Sequence, residues 1–122
     1  MSTNKPKILI VDDEPDILEL IEYNLKKEGY QVYTASNGQE AVQEARKTLP
    51  DLIILDIMMP KMDGIEACRI MRAMPEFKNT FMVFLTARSE EYSEIAGFNV
   101  GADDYIAKPI KPRALISRIN AI

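Results

Sequence analysis

The chain has 122 residues and a net charge of −4, with 47% hydrophobic and 28% charged residues; that suits one globular domain with its own core and leaves too little for two. It contains no histidine, which excludes a Ser-His-Asp triad, His-ligated zinc and a histidine proton shuttle. The mild acidity argues against a nucleic-acid-binding face on this domain.

The first stretch, MSTNKPKILIVDDE, has a short apolar run ending in acids, which is not the shape of a signal peptide. Lys7–Val11 reads as a first strand, and Pro15–Glu28 as a first helix with Ile17, Leu18, Ile21 and Leu25 on one face. Pro15 suits a first helical turn and Gly29 a C-terminal stop. Tyr30–Ala35 is a second strand; Asn37 then caps a helix, with Glu40 in capping-box position, that ends before Pro50. Leu52–Leu55 is a third strand. Asp63 and Glu66 repeat the cap signature for a helix over Gly64–Met74. Phe81–Leu85 is a fourth strand, Glu90–Asn99 a weaker helix, Tyr105–Ala107 a fifth strand, and Pro112 opens a last helix bearing Leu115, Ile116 and Ile119.

Strand and helix alternate five times, and three of the strands are almost continuously hydrophobic. The pattern predicts a doubly wound α/β domain: a five-stranded parallel sheet with helices on both faces. No apolar run approaches the ~20 residues of a membrane helix. The single cysteine, Cys68, cannot form an internal disulfide, which fits a cytoplasmic location; it reads as an inert, half-buried helix residue. Met58, Met59 and Met62 read as loop packing, and Gly64 and Gly101 as positions that backbone shape requires.

Sheets of this kind bind ligands at the carboxyl ends of their strands. Strand one ends in Asp12-Asp13, strand three in Asp56 and strand four in Thr86, and Lys108 follows strand five. Any one polar residue after a strand is unremarked loop chemistry; the set is not. Strands one and three meet at the crevice, so three carboxylates converge, and like charges that close are tolerable only beside a cation. A hard cation with oxygen ligands fits, and Mg²⁺ is the natural choice. Lys108 supplies a point charge for phosphate, Thr86 a hydroxyl donor, and Asp56 a carboxylate nucleophile.

Together these residues resemble the receiver domain of two-component response regulators. The matching pieces are the acidic pair in ILIVDDE, the stretch DLIILDIMMPKMDG, LTAR and GADDYIAKP, in register along the whole chain. The resemblance implies a flavodoxin-like sheet, order 2-1-3-4-5, with five helices. It implies that Asp56 is the phosphoacceptor, that Asp13 and Asp56 ligate Mg²⁺ with Asp12 helping directly or through water, and that the backbone carbonyl of Met58 completes the protein ligands. Thr86 is then the switch hydroxyl and Lys108 its partner at the phosphoryl group. The Lys108-Pro109 bond is cis, and Tyr105, otherwise an ordinary half-exposed strand aromatic, is the ring that moves inward with Thr86. The phosphodonor that the resemblance implies is a sensor histidine kinase, or a small donor such as acetyl phosphate. The resemblance also implies that Met58 and Arg88 flank the site and tune the phosphate lifetime.

GADDYIAKP followed by a Pro-Arg-x-Leu helix is most similar to receivers that precede winged-helix DNA-binding domains. This leaves two expectations, a domain that stands alone or, the favoured one, a transcriptional output domain beyond residue 122, with no DNA contact by residues 1–122 themselves. It also implies a phosphorylation-favoured homodimer through the face made by the Glu90–Asn99 helix, the fifth strand and the last helix. Asp104 and Arg118 fit the acid and arginine of that face. The usual second ion pair reads Glu94 and Ala114 here and is absent, with Arg113 a substitute from another position.

Three other readings are set against this one. A Mg-dependent aspartyl-phosphate phosphohydrolase needs a second aspartate where Met58 stands. A flavin or nucleotide binder needs a Gly-rich first loop, and DDEPD repels phosphate. A phosphorylation-independent docking module needs the signature positions to be degraded, and all five are present.

Overall fold

The hydrophobic runs become strands because each sends alternate side chains into two buried faces. β1 (Lys7–Val11), β2 (Gln31–Ala35), β3 (Leu52–Asp56), β4 (Phe81–Thr86) and β5 (Asp104–Ala107) form one parallel sheet in the order β2-β1-β3-β4-β5. The computed structural model describes residues 6–59, 61–86 and 101–122. The expected helix Glu90–Asn99, and with it Arg88 and Glu94, lies outside the described residues. Among the described residues are four α-helices: α1 (Pro15–Lys27), α2 (Gly38–Thr48), α3 (Gly64–Arg72) and the C-terminal α4 (Pro112–Asn120). The architecture is the doubly wound sheet that the alternation predicts, in the flavodoxin-like order that the resemblance implies.

Leu9, Val11, Ile53, Leu55, Met82 and Phe84 face α2 and α3. Their neighbours Ile8, Ile10, Leu52, Ile54, Val83 and Leu85 face α1 and α4. Period-two alternation thus feeds two cores, one per face, and each fully buried aliphatic side chain contributes about 1.5–3 kcal/mol. The strands most tightly enclosed by this packing, β1, β3 and β4, hold the acids and Thr86 at their carboxyl ends.

Several boundaries move, each for a local reason. β2 starts at Gln31, not Tyr30, because α1 closes in a Schellman motif around Gly29 (φ 95°). Gly29 N–H donates to Lys26 O and Tyr30 N–H to Leu25 O, so the Tyr30 N–H is spent on the cap. α3 stops at Arg72, and Pro75–Phe77 forms a 3-10 turn instead of a continuation to Met74. The two capping boxes are only partly built. Asn37 and Asp63 each accept from the N–H three residues on, at 2.9 and 2.8 Å. Glu40, however, reaches back to Ser36 N–H, and Glu66 pairs with Arg69.

Two side chains also differ from expectation. Cys68 is fully buried on α3, not half-buried, because it points into the sheet against Met82. Burial pushes its thiol up to about 11, so it stays protonated. Met59 and Met62 pack on the core as loop residues should, but Met58 is 76% exposed.

Candidate functional site

Asp56 is the last residue of β3, one further than the hydrophobic pattern suggests, and it pairs in register with Leu85 of β4. The next residue, Ile57, donates to Leu85 O at 3.1 Å, so the backbone on both sides of the carboxylate is held by the sheet. Below it the first residue of α3 comes very close. A Cβ on Gly64 would lie 2.2 Å from Asp56 O, which only glycine permits.

Asp12 leaves β1 with its N–H on Ala35 O and its Oδ1 accepting from Glu14 N–H at 2.9 Å. It is fully buried, and its Oδ2 accepts no well-directed hydrogen bond among the described residues. What Oδ2 has is an ion pair with Lys108 Nζ at 3.2 Å. Asp13 is exposed at the mouth of the site. One carboxylate oxygen from each of Asp12, Asp13 and Asp56 falls within 4.8 Å of the others.

Lys108 follows β5 and is aimed by its own backbone, whose N–H donates to Thr86 O at 2.6 Å. The Lys108-Pro109 peptide is cis, as expected. The ammonium lies 3.2 Å from Asp12 Oδ2, 3.5 Å from Asp56 Oδ2 and 3.6 Å from Glu14 Oε1. Thr86 is buried at the same edge, at the end of β4. The structure therefore brings Asp12, Asp13, Asp56, Thr86 and Lys108 to one end of the sheet.

Burial pushes the Asp56 carboxyl up to about 6, and the nearby Asp12 carboxylate adds to this against the pull of Lys108. For Lys108, burial alone favours the neutral amine, but Asp56, Asp12 and Glu14 together outweigh it and raise its pKa. Two carboxylates buried against one ammonium leave an excess of negative charge. With a buried Asp12 Oδ2 that accepts no well-directed hydrogen bond among the described residues and an all-oxygen set of acids, the cluster suits a hard divalent cation such as magnesium.

Further from the pocket, Tyr105 sits on β5 opposite Phe84 and packs on the α2/α3-side core. Asp104, next to it, accepts a forked contact from Arg118 of α4, with Nη2 at 2.7 and 2.8 Å. The expected acid–arginine pair is thus closed within the one chain. Ala114 is exposed on α4, and Arg113 beside it.

Sequence reasoning missed two things. Glu14, the third acid of DDE, is a partner of Lys108 as well as the residue before α1. Arg72 and Asp103 form an ion pair at 2.7 Å; nothing local signals it, since the residues are 31 positions apart.

The geometry and the motifs agree with the pattern of one family over nearly the whole chain: the response regulator receiver domain matches residues 8–120. The chain belongs to that family. As a receiver domain it is a signalling module. It is 49% identical over 117 residues to the alkaline phosphatase synthesis transcriptional regulatory protein PhoP of Bacillus subtilis, covering 95% of this chain and 48% of that protein. The chain thus spans about half the length of this curated relative. Among solved structures, it is similar to a putative response regulator from Chloroflexus aurantiacus, with TM-score 0.90 and 39% identity over 97% of each chain. The chemotaxis protein CheY4 of Vibrio cholerae superposes with TM-score 0.94 and 33% identity, over 98% of this chain and 99% of that one. Among the described residues of this receiver domain no helix is long and apolar enough to cross a membrane.

Proposed function

We propose that the receiver domain is a phosphorylation switch in which Asp56 takes up a phosphoryl group from a sensor histidine kinase. The observation that carries this is the Lys108 ammonium set between the buried Asp12 and Asp56 carboxylates, with Asp13 at the mouth. An Asp56 oxygen attacks phosphorus in line, the P–N bond to the donor imidazole breaks, and the imidazole leaves with the electron pair. Lys108 holds the charge on the phosphoryl oxygens, and Thr86 donates its hydroxyl to one of them. Asp12, Asp13, Asp56 and the Met58 carbonyl are the protein groups for Mg²⁺, which when bound neutralises the clustered acids and the incoming phosphoryl oxygens.

The product carries added charge and acceptor oxygens at the end of β3. Thr86 is drawn toward them, Tyr105 follows inward, and the surface around β5 and α4 changes population. We assign to that surface a phosphorylation-favoured homodimer involving Asp104 and Arg118. The output is transcriptional, on the strength of the regulator to which the chain is 49% identical; DNA contact belongs to a segment outside these 122 residues. The place of action is the cytoplasm, where such kinases present their phosphohistidine.

The test is intact mass after incubation with a small phosphodonor and Mg²⁺. One phosphate mass is gained by the wild type and none by Asp56→Asn. Phosphate gain by the Asn variant overturns the assignment.

A further inference from the structure

β5 has only four residues, lies at the edge of the sheet and is partly exposed along its length. Short edge strands with few buried contacts open at low cost. Yet both Tyr105 and Asp104 are on it. One end is held by Lys108, which reaches the carboxylates of the pocket. The other end is held by a second charged anchor remote from that pocket.

That anchor is Arg72, the last residue of α3, whose side chain is mostly covered. Its Nε donates to Gly101 O at 2.8 Å, and its Nη1 to Phe77 O and Thr80 O at 2.8 and 2.7 Å. Its Nη2 meets Asp103 Oδ2 at 2.7 Å. The same Asp103 oxygen accepts from Met82 N–H at 2.9 Å, while Asp103 N–H donates to Met82 O at 2.8 Å. Gly101 has φ 101°, and a Cβ there would stand 2.8 Å from the Arg72 Cγ. The guanidinium therefore spends all its nitrogens on the backbone leading into β4 and β5 and on one carboxylate. At its other end α3 lies against Asp56 O through Gly64. A single nine-residue helix touches the pocket with its first residue and the approach to β5 with its last.

We propose that Arg72 is a positioning residue that pins the start of β5, so that a change at Lys108 is expressed at Tyr105 and Asp104 and not lost as a slip of the strand. This rests on the reading of Asp56 as phosphoacceptor for its signalling half; the anchor itself does not.

The experiment has two arms on the 122-residue protein, using Arg72→Gln and Arg72→Lys. In the first, without ligand, native-state amide exchange is followed over Asp103–Ala107, together with alkylation of Cys68. Cys68 lies one turn before Arg72 on α3, buried against Met82, and is the chain's one thiol. Exchange and labelling rise by about tenfold or more in Arg72→Gln and by less in Arg72→Lys, which keeps the charge but fewer donors. Unchanged exchange over β5 overturns the anchor.

In the second arm the probe is beryllofluoride with Mg²⁺. Its affinity and the ¹⁹F shift of Tyr105 are read in fluorotyrosine-labelled protein, with the resonance assigned by Tyr105→Phe. Arg72→Gln keeps beryllofluoride affinity within about threefold while the Tyr105 response falls below half of the wild-type amplitude. A full Tyr105 response, or loss of affinity together with the response, overturns the positioning role. Wild-type protein that takes up no beryllofluoride overturns the Asp56 reading and the signalling half with it, leaving the exchange arm to decide on the anchor.

Discussion

Lys108 and Asp56 face each other across the end of the sheet, Nζ 3.5 Å from Oδ2. The cation is therefore preorganised, and it is also occupied, because Asp12 and Glu14 share it. Under the proposed function, a phosphoryl group on Asp56 would offer it further acceptor oxygens.

Lys108→Met separates two effects of that charge. Removing a positive group from among three carboxylates makes the pocket more attractive to a divalent cation, so Mg²⁺ binds more tightly than in the wild type. Phosphoryl uptake moves the other way and slows by roughly a hundredfold, the scale of losing one preorganised charge-stabilising donor. Mg²⁺ titration and intact-mass kinetics with a small phosphodonor check the two directions; slower uptake with weaker Mg²⁺ binding would point instead to a collapsed pocket.

The raised Asp56 carboxyl makes the metal-free protein unusual in its pH response. In the unfolded chain the group titrates near its ordinary 3.8, in the folded chain near about 6. Its stabilising contribution is fully present below the unfolded value, where both states are protonated. It is lost as pH rises through about 6, since the unfolded state releases its proton first. Between about pH 4 and 6 this group pulls stability down by at most ~1.4 kcal/mol per pH unit. Urea unfolding in EDTA at pH 5 and pH 7 should show wild type losing more stability on raising the pH than Asp56→Asn does. Excess Mg²⁺, which competes with the proton, should erase that difference.

Gly64→Ala tests how the pocket is floored. The added Cβ would lie 2.2 Å from Asp56 O and 3.1 Å from Ile57 Cα, both backbone atoms that cannot swing away. Relief requires α3 to back off from the end of β3, at a cost on the order of 2–3 kcal/mol. The expected outcome is a lower Tm and a weaker Mg²⁺ affinity together. A lower Tm with unchanged Mg²⁺ binding would mean that the strand end does not follow the helix.

The fold and the pocket were unequally legible in the sequence. The sheet is readable because strands covered on both faces must be continuously apolar, and Leu52–Leu55 can hardly be anything else. The pocket is readable because Asp12, Asp13, Asp56, Thr86 and Lys108 each follow such a run directly, so topology alone gathers them. Glu14 was harder, since DDE reads equally well as loop acids before a helix. Arg72 was beyond reach: its partners at Phe77, Thr80, Gly101 and Asp103 meet only once β4 and β5 are paired. Strand limits shifted where a backbone N–H had two claimants, as at Tyr30, whose N–H closes the α1 cap instead of opening β2.

Arg118→Ala addresses the proposed dimer face. In the single chain the Arg118–Asp104 pair is forked but solvent-exposed, and such pairs are worth about 0–1 kcal/mol. The substitution should therefore leave the unphosphorylated protein's stability within about 1 kcal/mol of wild type. If a second copy competes for the same groups, the pair must open and re-form across the interface, where it is desolvated and contributes more. Sizing with beryllofluoride and Mg²⁺ should then show the wild type shifting toward dimer and Arg118→Ala remaining monomeric at concentrations at least about tenfold higher. Asp104→Ala should match it, and the double variant should be no worse than either single one, as expected of two groups that act as one pair. Additive losses, or a dimer indifferent to both residues, would place the interface elsewhere on the domain.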